Sequence, residues 1–356
     1  MLGTVETVES EGNASFMVST MDEVLYFLDD ARADSTPTPS TLTVPPPLAP
    51  ITYGALIKIL DFSHLHYILS DTFLSHLLPH TPFLQQLIID SPKQFSGDSL
   101  FTLAKYCCNL IRLELLGCVK VSDEGMEAVF ERCWKLRTVV LSNVVGGGGE
   151  EGGTLDHLAV TSSPSSKDST TTIVRKLHTL NLANGLRFPS SGEIDPASSQ
   201  SLSNLLKAYS TTLVSLNLSF CGPAVNDTLL LQFSSTVRSL PLQHLNIAFC
   251  FEATDIGLVS LSKACPDLQD LDITGLTQVT DKSILAIGLG CMKFRQLVMV
   301  DERHRSNPGG SVGGGGQWSS QSPLITDEVL NRFSWGVRVV QRRDELLGQR
   351  KSPRIF

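Results

Sequence analysis

Apolar residues recur along the chain in a short, constant order. One apolar residue is followed by two others, a second apolar residue, one other, and a third apolar residue. The order occurs nine times at steps of 26 to 29 residues, except for two longer steps of 41 and 36. Each copy predicts a short strand with one buried face, and a repeated unit with a few insertions accounts for all of them. The central residues of the nine copies are Leu60, Leu87, Leu113, Val139, Leu180, Leu216, Leu245, Leu271 and Leu297.

A second pattern follows six of these central residues at a distance of roughly ten residues, where a small or polar residue precedes Asp. Apolar residues then follow at helical spacing, as Leu258 and Leu261 do after Asp255. This spacing predicts a helix with one apolar face, which begins behind a capping side chain. The pairs are Ser70-Asp71, Gly97-Asp98, Ser122-Asp123, Asn226-Asp227, Thr254-Asp255 and Thr280-Asp281.

Each unit is therefore expected to contain a strand, a turn, a capped helix and a return to the next strand. Such units bury their apolar edges only by stacking on their neighbours. The prediction for residues 55–334 is an α/β leucine-rich-repeat solenoid, a horseshoe with parallel strands on the concave face and helices on the convex face. Alternation along one strand places Leu113 and Leu115 in the core, and Arg112 and Glu114 on the concave face.

The regions outside the repeats are expected to contribute less structure. Residues 1–54 are predicted to be mostly disordered, with one short helix at about 21–33 and a Pro-rich linker. Residues 335–356 are predicted to form a C-terminal cap and a basic tail. Low-complexity insertions, which are loops by composition, are predicted near residues 144–172, 186–201 and 302–324.

Seven of the eight cysteines occupy two fixed positions in the repeat. Four lie six residues before a central residue, and three lie five residues after one, while Cys108 fits neither position. A small, weakly donating side chain suits tight turns at strand ends. We therefore expect buried, reduced thiols and no bound metal or cofactor. The two sets are Cys107, Cys133, Cys265 and Cys291, and Cys118, Cys221 and Cys250.

Charge and hydropathy narrow the classes of ligand. The net charge of −8 disfavours nucleic acid, which is bound through clustered Lys and Arg. No stretch approaches the ~20 apolar residues that a membrane span requires. The first residues carry Glu6, Glu9 and Glu11 rather than a basic start followed by an apolar block. A cytoplasmic and/or nuclear protein that binds no membrane is expected.

The local motifs resemble the cysteine-containing class of leucine-rich repeats, which is typical of F-box/leucine-rich-repeat proteins and of antagonist-of-mitotic-exit-network-like proteins. The segment LIKILDFSHLHYILSDTFLSHLL, residues 56–78, is similar to the first repeat of fungal members. The resemblance covers about residues 55–334. The motifs that carry it, besides the repeat length, are Gly117-Cys118 after a strand, Ser122-Asp123 or Thr280-Asp281 before a helix, and Cys265-Pro266 before the next strand.

The resemblance implies a substrate receptor of Skp–cullin–F-box ubiquitin ligases, in which a helical F-box docks on Skp and the repeats hold the substrate. Residues 1–54 depart from that pattern, because they contain no Trp and no Cys, and STPTPSTLTVPPPLAP cannot form a helical bundle. Either the F-box is missing from this sequence, or the protein belongs with relatives that lack one. We expect weak or no binding of Skp by these residues.

Polar residues on the predicted concave face form the candidate binding surface, a broad and mildly acidic sheet that suits a peptide or a protein loop. The sequence contains no HExxH, no Cys-x-x-Cys and no local Ser/His/Asp arrangement, and His64 with His66 is only a weak metal pair. No catalytic, cofactor-binding or metal-ligating residue is therefore predicted. The predicted partner-binding residues are Arg112, Glu114, Asn181, Asn217, His244, Asn246, Asp270 and Asp272.

Two functions remain open at this point. The first is the substrate-recognition component of a Skp–cullin–F-box type ubiquitin ligase, with Skp and cullin subunits as further partners. The alternative is a binding or inhibitory scaffold without an F-box, similar to the mitotic-exit antagonist. In both cases the chain is not an enzyme, and a substrate or regulatory protein lies on the concave face.

Overall fold

The structure is a computed structural model. It describes residues 16–17, 53–65, 69–90, 95, 98–118, 121, 123–142, 176–184, 196–299, 325–326, 328–329 and 338–341. These residues fall into two compact units, of which unit 1 ends at Asn181 and unit 2 contains residues 182–184 and those from 196 onward. In both units parallel strands alternate with helices, which confirms the α/β class and is compatible with a leucine-rich-repeat-like arrangement.

Unit 1 pairs its strands in chain order, and every pair is parallel. Short 3-10 turns at Tyr53–Leu56 and Leu78–His80 lie close to the strand starts. The strands are β1 Phe16–Met17, β2 Ile59–Phe62, β3 Gln86–Asp90, β4 Arg112–Leu116, β5 Thr138–Val140 and β6 Thr179–Asn181. The helices are α1 Asp71–Leu77, α2 Ser99–Tyr106 and α3 Asp123–Arg132.

Unit 2 has the same alternation, and its strands also pair in parallel and in chain order. A 3-10 turn occupies Gly222–Ala224. The strands are β7 Ser215–Asn217, β8 His244–Asn246, β9 Asp270–Asp272, β10 Gln296–Met299 and β11 Arg338–Gln341. The helices are α4 Pro196–Tyr209, α5 Asp227–Ser235, α6 Asp255–Ala264 and α7 Asp281–Gly290.

The strand register agrees with the sequence pattern. In unit 1, Leu113 is the parallel partner of Leu87 and of Val139, and in unit 2, Leu245 is the partner of both Leu216 and Leu271. All nine central residues are at most 4% exposed, since each lies between the sheet and the helices of its unit. The predicted core position of Leu113 and Leu115, both fully buried, is confirmed.

The predicted helix caps are present at four helix starts. The side chains of Ser70, Asn226, Thr254 and Thr280 accept a backbone N–H from the first turn of their helices, at 3.0 to 3.3 Å. Asp98 is the exception: its backbone is already helical and its side chain makes no capping bond, so the predicted Gly97-Asp98 cap is wrong. The Ser122 cap lies outside the described residues.

The Asp after each cap bonds to the start of the next helix rather than to its own helix. Asp227 Oδ1 accepts the backbone N–H of Thr254 at 2.8 Å, and its Oδ2 accepts the Thr254 hydroxyl at 2.6 Å. Asp255 makes the same two bonds with Thr280, at 2.9 and 2.6 Å. Asp281 makes them with Thr326, at 2.7 and 2.8 Å. These carboxylates form an Asp ladder that joins successive repeats of unit 2.

The buried thiols also join neighbouring repeats. Cys107 Sγ donates to the carbonyl of Thr81 at 3.4 Å, and Cys250 Sγ donates to the carbonyl of Leu218 at 3.1 Å. Desolvation by burial raises the pKa of Cys107 to about 11 and that of Cys250 to about 12. All eight cysteines are free, and seven of them are buried at the predicted repeat positions.

Some boundaries differ from the sequence prediction. Phe16–Met17, inside the segment predicted to be mostly disordered, forms β1, and residues 196–201, assigned to an insertion, begin α4. The strand Arg338–Gln341 lies in the predicted C-terminal cap and pairs with β10. The predicted helix at 21–33, the Pro-rich linker and the insertions at 144–172 and 302–324 lie outside the described residues.

Candidate partner-binding surface

Three of the predicted partner-binding residues close the turns after their own strands. Asn217, Asn246 and Asp272 end β7, β8 and β9, and the Oδ1 atom of each accepts the backbone N–H two residues later at 3.0 Å. Asn and Asp stabilise turns in this way. Asn217 is 5% exposed and Asp272 is 7% exposed. The expectation that these two side chains face solvent is therefore wrong, because the local turn binds their polar atoms.

The predicted residues of unit 1 are also engaged with neighbouring side chains. Asn181 is 3% exposed, and its Oδ1 accepts the hydroxyl of Ser142 at 3.3 Å. Arg112 Nε donates to Glu114 Oε1 at 2.6 Å. The Arg112 side chain is half exposed while that of Glu114 is mostly buried, so Glu114 does not lie on the surface as expected. This part of the sheet presents a neutralised ion pair rather than an acidic surface.

His244 and Asp270 are accessible, as predicted. They begin β8 and β9, and their side chains are 46% and 40% exposed. His244 Nδ1 lies 2.6 Å from Asp270 Oδ2, a contact that becomes an ion pair when the imidazole is protonated. Of the five residues predicted in unit 2, these two offer the most accessible polar atoms, while Asn246 is half-buried.

Two phenylalanines hold a backbone conformation that bulky residues rarely adopt. Phe220 and Phe249 have φ angles of 58° and 60°, in the left-handed region. Both lie four residues after a central residue, and in other repeats this position is occupied by Gly117, Asn184 or Gly275, which also have positive φ. A side chain with a Cβ costs about 1–2 kcal/mol in this region, whereas Gly adopts it freely. The fold tolerates this cost at two adjacent repeats.

These residues form an exposed aromatic cluster at the edge where the strands of unit 2 end. The rings of Phe220 and Phe249 are stacked at 4.4 Å between centroids, and Phe251 meets Phe249 edge-on at 6.4 Å. Phe220 is 51% exposed and Phe251 is 38% exposed. A Cβ at Gly275 would lie 2.8 Å from Phe249 Cδ1, so glycine leaves room for the stack. We call Phe220, Phe249 and Phe251 the aromatic cluster.

The aromatic cluster was not among the sequence-predicted site residues. An alignment of the repeats could nonetheless have indicated it, because Phe220 and Phe249 occupy the turn position that is Gly or Asn in other repeats. Non-glycine residues at positive φ concentrate at functional sites, where the surrounding structure holds them in place. The alternation of apolar and polar residues along a strand carries no such information about the turn that follows.

Acidic residues follow the strands of unit 2 in the sequence. Glu252, which follows Phe251, is exposed, and three helices of unit 2 carry Asp227, Asp255 and Asp281 in their first turns. The carboxylates of these three Asp residues belong to the Asp ladder, in which each accepts hydrogen bonds from the start of the following repeat. Glu252 lies outside a helix, and it brings an exposed acidic residue next to Phe251 in the sequence.

Within the part of the chain that the structure describes, no group of three or more His, Cys, Asp or Glu side chains could hold a metal ion. His64 is described, but His66, the other member of the weak metal pair, is not. Among the same described residues, no helix is long and apolar enough to cross a membrane.

No protein-family model matches the chain. Among solved structures, the chain is similar to a chain of the crystal structure of the Rad7 and Elc1 complex in yeast. The two are 16% identical, with a TM-score of 0.32, and the match covers 79% of this chain and 86% of that chain.

Proposed function

We propose that this chain is a leucine-rich-repeat protein of the cysteine-containing class that recognises substrates for a Skp–cullin–F-box type ubiquitin ligase. The regular strand register and the buried thiols at fixed repeat positions support membership of that class. The proposal gives the chain a binding role without a catalytic step of its own, in the cytoplasm or the nucleus. The predicted horseshoe shape stays a prediction.

The observation that carries a protein-binding role is the exposed, strained aromatic cluster. Interfaces between proteins are enriched in aromatic residues, which supply a large contact area. Phe220 remains half exposed although its backbone conformation is unfavourable. A requirement for folding alone would be met by glycine, as at Gly117 and Gly275. A partner that covers the rings and presents Lys or Arg to Glu252 would match this surface in shape and charge.

The second candidate is a binding or inhibitory scaffold that acts without an F-box. The segment STPTPSTLTVPPPLAP favours it, because this stretch precedes the first repeat and cannot form the helices of an F-box. Both candidates use the same binding surface. They differ in whether Skp and cullin subunits accompany the bound protein.

Quantitative affinity purification with mass spectrometry from cells that express the full chain distinguishes the candidates. The test variant is Phe220→Ala with Phe251→Ser, and the matched control is Phe101→Ser, which removes an equally exposed ring from α2 in unit 1. We expect the test variant to lose protein partners that the control retains. Skp and cullin subunits that co-purify with both variants would support a ligase receptor and contradict the expectation that residues 1–54 bind Skp weakly or not at all. Their absence would favour the scaffold.

A test variant that retains every partner of the wild-type chain would contradict the assignment of this surface. Circular dichroism spectra and melting curves of both variants show whether the loss of a partner reflects binding rather than unfolding.

A further inference from the structure

Unit 1 contains a groove at the edge where its strands begin. Its volume is about 480 Å³. Leu56 and Phe83 line it and are each 54% exposed, so two large apolar side chains face solvent in the same groove. The other lining residues that matter here are Lys58, Asn109, Ile111 and Lys135.

The groove follows directly from the repeat register. Leu56, Phe83, Asn109 and Lys135 each lie four residues before a central residue of β2 to β5, so the same position of four successive repeats forms one row. Backbone groups beneath this row already have hydrogen-bond partners in the neighbouring repeat, since the Gln85 N–H donates to the Lys58 carbonyl at 2.7 Å. The exposed side chains of Leu56 and Phe83 are therefore available to bind a ligand.

The equivalent row of unit 2 has a different composition. The residues four positions before the central residues of β7 to β10 are Thr212, Pro241, Asp267 and Lys293, which include neither Leu nor Phe. The positions two residues before the central residues do not distinguish the units, because each unit has both polar and apolar residues there. The pair of large apolar side chains in the row is thus a property of unit 1 and not a general property of the repeat.

Charge separates the two rows further. In unit 2, Lys293 Nζ lies 2.7 Å from the carboxylate of Asp267, which neutralises it. In unit 1, Lys135 occupies the position of Lys293, but its Nζ donates at 2.6 Å to the amide oxygen of Asn109, which carries no charge. Lys135 therefore brings to the groove a positive charge that Asn109 does not neutralise, and its Nζ also lies 5.4 Å from the centroid of the Trp134 ring. None of the described residues that line the groove is acidic.

We propose that this groove binds a peptide segment of a partner protein in which Asp or Glu stands beside Leu, Phe or a similar apolar residue. The apolar side chain covers Leu56 and Phe83, and the carboxylate pairs with Lys135. A basic segment is disfavoured because the groove would offer it no acceptor charge. The proposal concerns unit 1 alone, so it stands or falls separately from the surface proposed in unit 2.

The test selects ligands for the full chain from a displayed library of random dodecapeptides. Selection runs in parallel on the wild-type chain and on Phe83→Ser, and only peptides enriched on the wild-type chain are synthesised with a fluorescent label. Fluorescence polarisation then compares their affinity for Asn109→Asp, Lys135→Glu and the control Lys293→Glu. The Asn109→Asp variant copies a pair that unit 2 already contains, so it is expected to fold normally.

We expect the enriched peptides to combine acidic and apolar residues. Their affinity should fall about threefold in Asn109→Asp and on the order of tenfold in Lys135→Glu. The Lys293→Glu control should leave it within about twofold, because Lys293 lies in the other unit. Peptides without acidic residues, equal enrichment on Phe83→Ser, or equal affinity for Asn109→Asp and the wild-type chain would each overturn the proposal.

Discussion

Phe220 allows the cost of its left-handed backbone to be measured by two substitutions at one position. Both Phe220→Ala and Phe220→Gly remove the ring, which is about half buried. They differ in one respect: Ala keeps a Cβ at a φ of 58°, while Gly adopts this angle without strain. The difference in stability between the two variants therefore isolates the backbone term.

The expected magnitudes follow from the geometry. Burial of roughly 100 Å² of a ring of about 200 Å² contributes about 2.5 kcal/mol to the free energy of unfolding, and both variants lose it. Ala retains the left-handed cost of about 1–2 kcal/mol. Gly removes that cost but adds about 0.5–1 kcal/mol of chain entropy. Phe220→Gly should therefore be more stable than Phe220→Ala by up to about 1.5 kcal/mol, with a central value of about 0.75 kcal/mol.

Urea unfolding followed by circular dichroism measures this difference. The control pair is Leu285→Ala and Leu285→Gly in the interior of α7, where the ordinary order applies and Ala is more stable by about 1 kcal/mol. If Phe220→Ala proves more stable than Phe220→Gly by about 0.5–1 kcal/mol, as in the control, the backbone at this position is not strained, and the argument from strain to function fails. Both variants should weaken partner binding equally, because binding depends on the ring.

Three further predictions test the core, the Asp ladder and the thiols. Leu271→Ala should lower the free energy of unfolding by about 2–5 kcal/mol in urea, and a smaller loss would contradict the strand register. Desolvation raises the pKa of Asp255, but hydrogen bonds from the next helix start outweigh it and lower the pKa below 3.8. The stabilisation that Asp255 gives to the folded protein is therefore present above the pKa of its carboxyl in the unfolded chain. It is lost as the pH falls through the lower pKa of the same carboxyl in the folded protein. Acid unfolding of Asp255→Ala should show a shallower pH dependence than that of the wild-type chain. Iodoacetamide at about pH 8 should label half-buried Cys108 well before Cys250, because burial raises the pKa of the Cys250 thiol to about 12. Mass spectrometry of the peptides measures the order of labelling, and the reverse order would show that Cys250 is accessible.

The strand register could be predicted from the sequence because the buried strand positions require apolar residues, and these positions recur once in each repeat. A residue such as Leu245 must be apolar to lie between sheet and helices, and its recurrence marks the unit length. The helix caps at Asn226 and Thr280 could also be predicted, since a capping bond joins residues that are two or three positions apart in the sequence. Both kinds of feature depend on neighbours in the sequence.

The site was predicted less well because the contacts that decide which side chains are exposed come from the following turn or from the next repeat. Periodicity indicated which face Asn217 and Asp272 belong to, but not that the following turn would bind their oxygens. The role of Asp227 was missed because its partner, Thr254, lies in the next repeat. Phe220 was missed because strand patterns end before the turn in which it lies.

The Asp ladder keeps the start of one repeat's helix bonded to the next repeat, whatever the length of the loop between them. Asp281 reaches Thr326 across 45 positions of sequence with the same two bonds that Asp255 makes across 25. Extra residues placed after a strand therefore add only the slowly growing entropy of a longer loop. Residues inserted between a cap and its Asp would shift the carboxylate out of reach of the following helix start. The chain can thus acquire new loops at one edge of its units without losing the frame in which its repeats stack.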